Sequence, residues 1–262
     1  MSLEKDEIAR ARVRAEHYLA SCNEYTDNYE REKLIGDWAK KENAARAAVD
    51  DMEKRAGPLQ GARLLDIGFG GGEYSLAFAK AGAEVHGLEV NPVLHEIAEK
   101  YLKDEGVVAT LRVYDGEHFP FEDGTFDYAF SVSVLEHVSD PKTMLREVHR
   151  ILKPGGRFYL AFPNRWRPRE AHTGIFFLSY IPRSWAQFLL RRLWNRNVVE
   201  ELNLHFLSYW SLKSLLRGSD LSVIFEQSAG TLSRRVVKKC LASLGVHYSA
   251  ILGTVMVILE KK

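Results

Sequence analysis

From Leu64 to Glu73 the chain reads Leu-Leu-Asp-Ile-Gly-Phe-Gly-Gly-Gly-Glu, so a carboxylate, Asp66, is followed by glycines at alternate positions, Gly68, Gly70 and Gly72. Glycine at such a turn admits positive φ and lets a ligand approach the backbone where a side chain would obstruct it. A nicotinamide fingerprint, G-x-G-x-x-G counted from Gly68, needs glycine where Glu73 stands, and a carboxylate beside a pyrophosphate is repelled. The pattern that fits is acidic-x-Gly-x-Gly-x-Gly. Further carboxylates follow later apolar runs: Glu89 after Val85-His86-Gly87-Leu88, and Asp115 within Tyr114-Asp115-Gly116-Glu117-His118. His137, next to Glu136, is the residue best suited to move a proton, because an imidazole titrates near neutral pH.

These residues need a scaffold of strands that end where they stand. Short apolar runs predict strands over Arg63–Ile67, Glu84–Leu88, Thr110–Tyr114, Phe126–Ser131 and Arg157–Phe162, with helices over Tyr74–Lys80, Pro92–Lys103 and Pro141–Leu152 between them. Strands alternating with helices imply a parallel sheet covered on both faces. Lys153-Pro154-Gly155-Gly156 reads as a stop and turn before the fifth strand. Further along, a helix is expected over Tyr209–Arg217, a strand over Leu221–Glu226, a helix over Leu232–Leu244 and a last strand over Gly253–Leu259. Residues 1–56, rich in Ala, Glu, Lys and Arg, are expected to form a cap of two or three helices ahead of the main domain at 57–262.

Composition narrows the class. Apolar residues are 46% of the chain and charged residues 27%, the usage of a packed globular protein, which excludes disordered and low-complexity readings. Thirty-six Lys and Arg balance 35 Asp and Glu, so no surface built wholly for nucleic acid is expected. Cys22 and Cys240, the two cysteines, suggest neither a disulfide framework nor a metal knuckle, which suits a reducing compartment and a cytoplasmic location. Met1–Arg14 lacks the apolar core of a signal peptide. The longest apolar stretch, Tyr248–Leu259, falls short of the ~20 residues a membrane-spanning helix needs and reads as a buried strand.

The glycine run resembles the cofactor motif of class I S-adenosylmethionine-dependent methyltransferases. Four further motifs resemble the same family in the same order: Glu89 ending strand two; Tyr114 to His118 after strand three; Pro120 to Asp127 with Ser131 to Val138 around strand four; and Leu152 to Gly156 before strand five. The resemblance covers roughly Arg63 to Pro163. It implies a Rossmann-like, seven-stranded, mostly parallel α/β sheet whose last strand runs antiparallel between strands six and five. It also implies S-adenosylmethionine as cofactor and S-adenosylhomocysteine as product. Asp66 would orient the ammonium end, Glu89 accept from the ribose hydroxyls, and Asp115 hold the adenine amino group. Phe69, Val90, Gly116, Glu117 and Ser131 would complete the cofactor contacts beside Gly68, Gly70 and Gly72. Tyr25, Tyr29 and Trp38 lie where N-terminal helices of similar enzymes close over the cofactor, so one of these rings is a candidate contact, although ordinary core packing is the better account of any given one.

The reaction implied is transfer of a methyl group to a small or lipophilic acceptor, with a hydroxyl oxygen as the expected target. Transfer to nitrogen or carbon, or cofactor binding without turnover in the service of a partner, are the other readings. His137 is the candidate base, and its rival role is to support the loop after strand four. No residues show metal-ligand spacing, so no metal is expected; Glu136, His137 and His205 are the three that folding could bring together. The stretch from about 164 to 208 reads as a helical lid inserted after strand five, loosely similar to the ubiquinone-biosynthesis O-methyltransferase branch through Asn164-Arg165 and His205-Phe206. Within residues 175–199, Phe176, Phe177, Tyr180, Trp185, Phe188 and Trp194 mix with Arg183, Arg191, Arg192 and Arg196. That mixture suits a lid packed on its own domain, a peripheral membrane contact or an oligomer surface, and least of all single-stranded nucleic acid. The basic run Ser233–Lys239 reads as a solvated helix face.

Overall fold

A computed structural model describes residues 2–22, 28–226 and 253–262. Seven strands form one sheet in the order β3-β2-β1-β4-β5-β7-β6. Along the chain come α1 (Ser2–Cys22), α2 (Asn28–Arg55), β1 (Arg63–Ile67), α3 (Glu73–Lys80), β2 (Glu84–Glu89), α4 (Pro92–Asp104), β3 (Thr110–Val113) and β4 (Phe126–Val132). They are followed by α5 (Pro141–Ile151), β5 (Leu152–Pro163), α6 (Arg183–Trp194), α7 (Val198–Glu201), α8 (Tyr209–Leu215), β6 (Leu221–Glu226) and β7 (Thr254–Lys261). The chain divides into two compact units, one holding α1 to β3 with β4 through Phe130, the other holding Glu122–Gly124 and the chain from Ser131 on.

In the first unit β1 pairs in parallel with both β2 and β4, and β2 with β3. β1 is buried from Leu64 to Ile67, as a strand covered on both faces must be. Asn91 starts α4: its side chain accepts from the amides of Val93 and Leu94, with Pro92 in the first turn, which satisfies donors that the helix cannot. The N-terminal region forms two helices. Trp38 is buried in a cluster with Ala11, Ala15, Ile35, Ala39 and Ile97, and Tyr18 packs on it, so its ring is core. Tyr25 lies outside the described residues.

In the second unit α5 buries Met144, Leu145, Val148 and Ile151, the i, i+1, i+4, i+7 stripe of a one-faced helix. Asp140 caps it, accepting from Lys142 and Thr143. β7 runs antiparallel to both β5 and β6 and is buried from Val255 to Leu259. The strand expected from Arg157 in fact starts at Leu152, directly after α5. Gly155, at φ 76°, turns the chain inside the strand, and Lys261 of β7 donates to the Leu152 carbonyl at 2.8 Å. Residues 164–208 carry one 3-10 turn (Leu178–Tyr180) followed by α6 and α7. The helix expected over Leu232–Leu244, Cys240 and the basic run Ser233–Lys239 lie outside the described residues.

Candidate functional site

Gly68, Gly70 and Gly72 have φ of 71°, 54° and 86°, a conformation that costs an L-residue roughly 1–2 kcal/mol. A Cβ built on Gly70 meets nothing within 4 Å, so the turn has open space on that side. Its amides are turned inward: Gly68 donates to the Leu88 carbonyl at 2.7 Å, Gly72 to Phe69 at 2.9 Å, and Gly70 to Glu89 Oε2 at 3.0 Å. The glycines therefore supply shape and room, and these three amides are not free donors for a ligand. Phe69, expected among the contacts, is buried, its ring 6.1 Å from His95. A Cβ on Gly87 would stand 2.6 Å from that ring, which is why β2 carries glycine there.

Glu89 is buried and fixed from three sides, by Gly70 on one oxygen and by the amides of Val90 and Asn91 at 2.9 and 3.1 Å on the other. The oxygen held by Gly70 keeps a lone pair for a hydroxyl donor. Val90 beside it is 55% exposed, an apolar face a planar ring can cover, and Gly116 lies close enough that a Cβ would stand 3.4 Å from Val90 Cγ1. Asp115 is exposed; one oxygen accepts from Glu117 and His118 amides, both at 2.8 Å, and the other faces the His118 ring. Those backbone donors hold its proton affinity below the usual carboxylate range. Glu117 is exposed on the same turn.

Asp66 is fully enclosed, with the Ser75 hydroxyl donating to it at 2.6 Å. Burial pushes its carboxyl up to about 7, against the Ser75 bond that lowers it, with Glu89 and Glu73 adding like charge. A cation beside it would offset that cost. Glu73, the residue that spoils the nicotinamide pattern, is buried 3.3 Å from Arg14 of α1. Arg14 also pairs with Glu42 at 2.9 Å and stands 3.8 Å over the Tyr101 ring. Sequence reasoning missed this use of Glu73, because Arg14 is remote in the chain.

In the second unit Ser131 is buried, and its hydroxyl has no partner among the described residues. Ser133, just past β4, sits at φ 59° with its amide bonded to the Ala161 carbonyl at 2.9 Å. Glu136 is buried, and neither carboxylate oxygen has a hydrogen-bond partner among the described residues; burial pushes it up to about 7. His137 Nδ1 lies 2.8 Å from the Leu202 carbonyl, and its Nε2 lies 3.8 Å from Glu136 and 3.1 Å from His172 Nε2. The residue expected to join Glu136 and His137 was His205, and the structure corrects this. His205 bonds the Val138 carbonyl at 3.1 Å, and His172 takes its place, with side-chain donor atoms of the three within 4.8 Å of one another. Glu170 accepts from the His172 ring at 3.0 Å and from the His172 and Thr173 amides at 2.9 and 2.6 Å. A cavity of about 10 Å³ is lined by Glu136, Arg165, Glu170, His172 and His205, about the room one water needs.

α6 buries Ala186 and Leu190 in a cluster with Leu178, Val199 and Leu204. Trp185 and Phe188 on its other side, and Leu193 in its last turn, are more than 60% exposed, as is Phe176 ahead of it. No helix among the described residues is long and apolar enough to cross a membrane.

Residues 65–160 match the family model described as a methyltransferase domain. A ubiquinone biosynthesis O-methyltransferase of Pseudomonas aeruginosa is 38% identical over 134 residues, which is 51% of this chain and 57% of that protein. The chain thus spans little more than half the length of the curated relatives it matches. Among solved structures, magnesium protoporphyrin IX methyltransferase from Synechocystis PCC 6803, with bound SAH, superposes with a TM-score of 0.58 at 13% identity, covering 94% of each chain. The [4+2]-cyclase SpnF reaches 0.58 at 20% identity, covering 84% of this chain and 81% of its own. Likeness at these identities concerns the fold, which carries more than one chemistry.

Proposed function

We propose that this chain, whose residues 65–160 match the methyltransferase-domain model, is a class I S-adenosylmethionine-dependent methyltransferase that transfers a methyl group to the hydroxyl oxygen of a small or lipophilic acceptor. The observation that carries the cofactor assignment is the bond from Gly70 to Glu89. It makes the glycine turn and the acid at the end of β2 a single rigid unit, with open space at the turn and the exposed face of Val90 beside it. The residues fit S-adenosylmethionine. Glu89 would accept from the ribose hydroxyls, Val90 and Gly116 would flank the adenine with Asp115 and Glu117 at its edge, and Asp66 would meet the ammonium. Bound there, the cofactor supplies a methyl group on a sulfonium, whose charge already activates the leaving group. The protein's part is to orient the acceptor, exclude water and take the hydroxyl proton. His137, just beyond the carboxyl end of β4, where α/β sheets bind ligands, is the base in this reading. Isothermal titration with S-adenosylhomocysteine, with NADH as control, tests the site; binding of NADH alone would overturn it. Turnover on an acceptor separates an enzyme from a protein that only binds the cofactor.

Asp66 makes the affinity depend on pH. Its carboxyl is held near 7, and an ammonium favours the ionised form, so binding should expel a proton below that pH. S-adenosylhomocysteine should bind about tenfold more weakly at pH 6 than at pH 8. Asp66→Asn should remove the dependence. A flat pH profile in the wild type would separate Asp66 from the ammonium.

The exposed aromatic face of α6 supports a peripheral membrane contact through residues 175–199. From Arg165 to Asn197 there are seven arginines and one acid, Glu170, in a chain of net charge +1. Exposed aromatics with arginines match an anionic bilayer surface, and salt would weaken the attraction. The protein should sediment with vesicles containing phosphatidylglycerol at low salt, release at high salt, and lose binding when Trp185 and Phe188 become Ser. Failure to sediment at low salt would favour a plain lid.

A further inference from the structure

We propose that Glu136, His137 and His172 hold a divalent transition-metal ion, with the Leu202 carbonyl and Glu170 setting the two rings. The spacing of the three along the chain gives no sign of such a site, since His172 comes from the inserted segment. In the fold their donor atoms lie within 4.8 Å of one another. The Leu202 carbonyl can only accept, so His137 bears its hydrogen on Nδ1, and Nε2 is bare in the neutral ring. Glu170 accepts from the His172 and Thr173 amides and from the Thr173 hydroxyl, and donors in that number favour an ionised carboxylate. It takes Nδ1–H from the His172 ring at 3.0 Å, which leaves His172 Nε2 bare as well.

Two bare nitrogens thus stand 3.1 Å apart, their rings at 89°, and their lone pairs repel unless something that accepts them lies between. Metal–nitrogen bonds of ~2.1 Å meeting at about 90–110° put their nitrogens ~3.0–3.4 Å apart, so the rings already have the spacing of neighbouring ligands. Glu136 completes the set. It is 1% exposed, neither oxygen has a hydrogen-bond partner among the described residues, and one oxygen stands 3.8 Å from His137 Nε2. A buried carboxylate so placed is costly to ionise without a cation. Arg165 lines the same cavity as Glu136 and His172, but its guanidinium donates to the Ser179 and Tyr180 carbonyls. Two imidazoles and one carboxylate suit zinc, cobalt or iron better than magnesium or calcium, and three protein ligands leave a position open for water. Both rings also have the support usual for metal-bound histidine, the far N–H donated to a carboxylate or a backbone carbonyl. Such an ion excludes His137 from proton transfer, because the one lone pair on Nε2 cannot bind a metal and accept a proton at once. That consequence rests on the reading of His137 as the base; the ligand set does not.

The decisive measurement is a titration of the chelator-treated full chain, free of cofactor, with cobalt(II), followed by visible absorption with zinc(II) as competitor. The wild type should take up one equivalent, with absorption bands of bound cobalt that zinc abolishes. Glu136→Gln and His172→Ala should each bind about a hundredfold more weakly, and Glu170→Gln, which keeps an acceptor for Nδ1–H but removes the charge, about tenfold. His205→Ala, in the same cavity but bonded to the Val138 carbonyl, should bind as the wild type does. Glu136→Gln is nearly isosteric and removes a buried charge, so it should melt no lower than the metal-free wild type, and its loss of cobalt then reads the site rather than the fold. No cobalt uptake by the folded wild type, or uptake unchanged in Glu136→Gln or His172→Ala, would overturn the proposal. The titration needs no turnover, so it stands or falls apart from the base. On a methylated acceptor, cobalt should slow the reaction until chelator removes it; cobalt that speeds it would leave the site standing and remove His137 as the base.

Discussion

Gly70→Arg should lower affinity for S-adenosylhomocysteine by more than a hundredfold while the protein stays folded. The separation of the two effects follows from the turn itself. Gly70 has φ 54°, and a Cβ there meets nothing within 4 Å, so the fold bears only the roughly 1–2 kcal/mol cost of an L-residue in the left-handed region. The Gly70 amide can keep its bond to Glu89. The guanidinium and its stem would instead fill the open side of the turn, where the cofactor is proposed to lie. Gly70→Ala is the control: it carries the same backbone cost but adds one methyl, and should lose far less affinity. Thermal melts and isothermal titration on the three proteins read both effects. If Gly70→Arg is folded and binds as the wild type does, the cofactor lies elsewhere. By contrast, Gly72→Ala should damage the fold, because a Cβ there stands 3.0 Å from Ala98 and Leu102 of α4.

The residues that were legible in the sequence are those whose job is local. β1 and β6 begin and end where their apolar runs do. α4 and α5 start at the Asn-Pro and Asp-Pro pairs that cap them, and the glycine spacing translates into three consecutive alternate residues at positive φ. The start of β5 was not legible, since Lys153-Pro154-Gly155-Gly156 has the composition of a loop. The ladder with β7, about a hundred residues later, takes in Arg157–Pro163, and ahead of it the Lys261 side chain of β7 holds the Leu152 carbonyl. Nor was the partner of His137. His172 and His205 both lie in a segment without strand or helix periodicity, and only the folded lid decides which ring meets His137. The local signal was there to find: Glu170-Ala171-His172-Thr173 places a carboxylate where it can bond the amides two and three residues on, together with the ring at His172. Glu73 shows the reverse case. Its presence excluded one cofactor, but its reason for being there is a buried charge on α1.

His137→Ala should reduce turnover by about 10²–10⁴-fold, the range that loss of a general base spans, with affinity for S-adenosylhomocysteine nearly unchanged. That result alone would not separate chemistry from scaffolding, because His137 also ties its loop to the Leu202 carbonyl. Asn203 makes a parallel tie, donating to the Val138 carbonyl at 2.9 Å, so the loop keeps a second anchor when the imidazole is lost. His137→Asn resolves the two roles. An asparagine amide can stand near the position of Nδ1 and keep a donor toward Leu202, but it has no basic nitrogen at Nε2. If His137 is the base, Asn and Ala should be equally slow, and Asn should melt closer to the wild type. If the histidine only supports the loop, Asn should recover most of the turnover that Ala loses. The same comparison bears on the acceptor atom. A hydroxyl must give up a proton as it is methylated, whereas an amine that is already neutral can attack first and lose its proton afterward. A large and equal loss in both variants therefore favours oxygen, and a loss within a few-fold in both favours a nucleophile that needs no base.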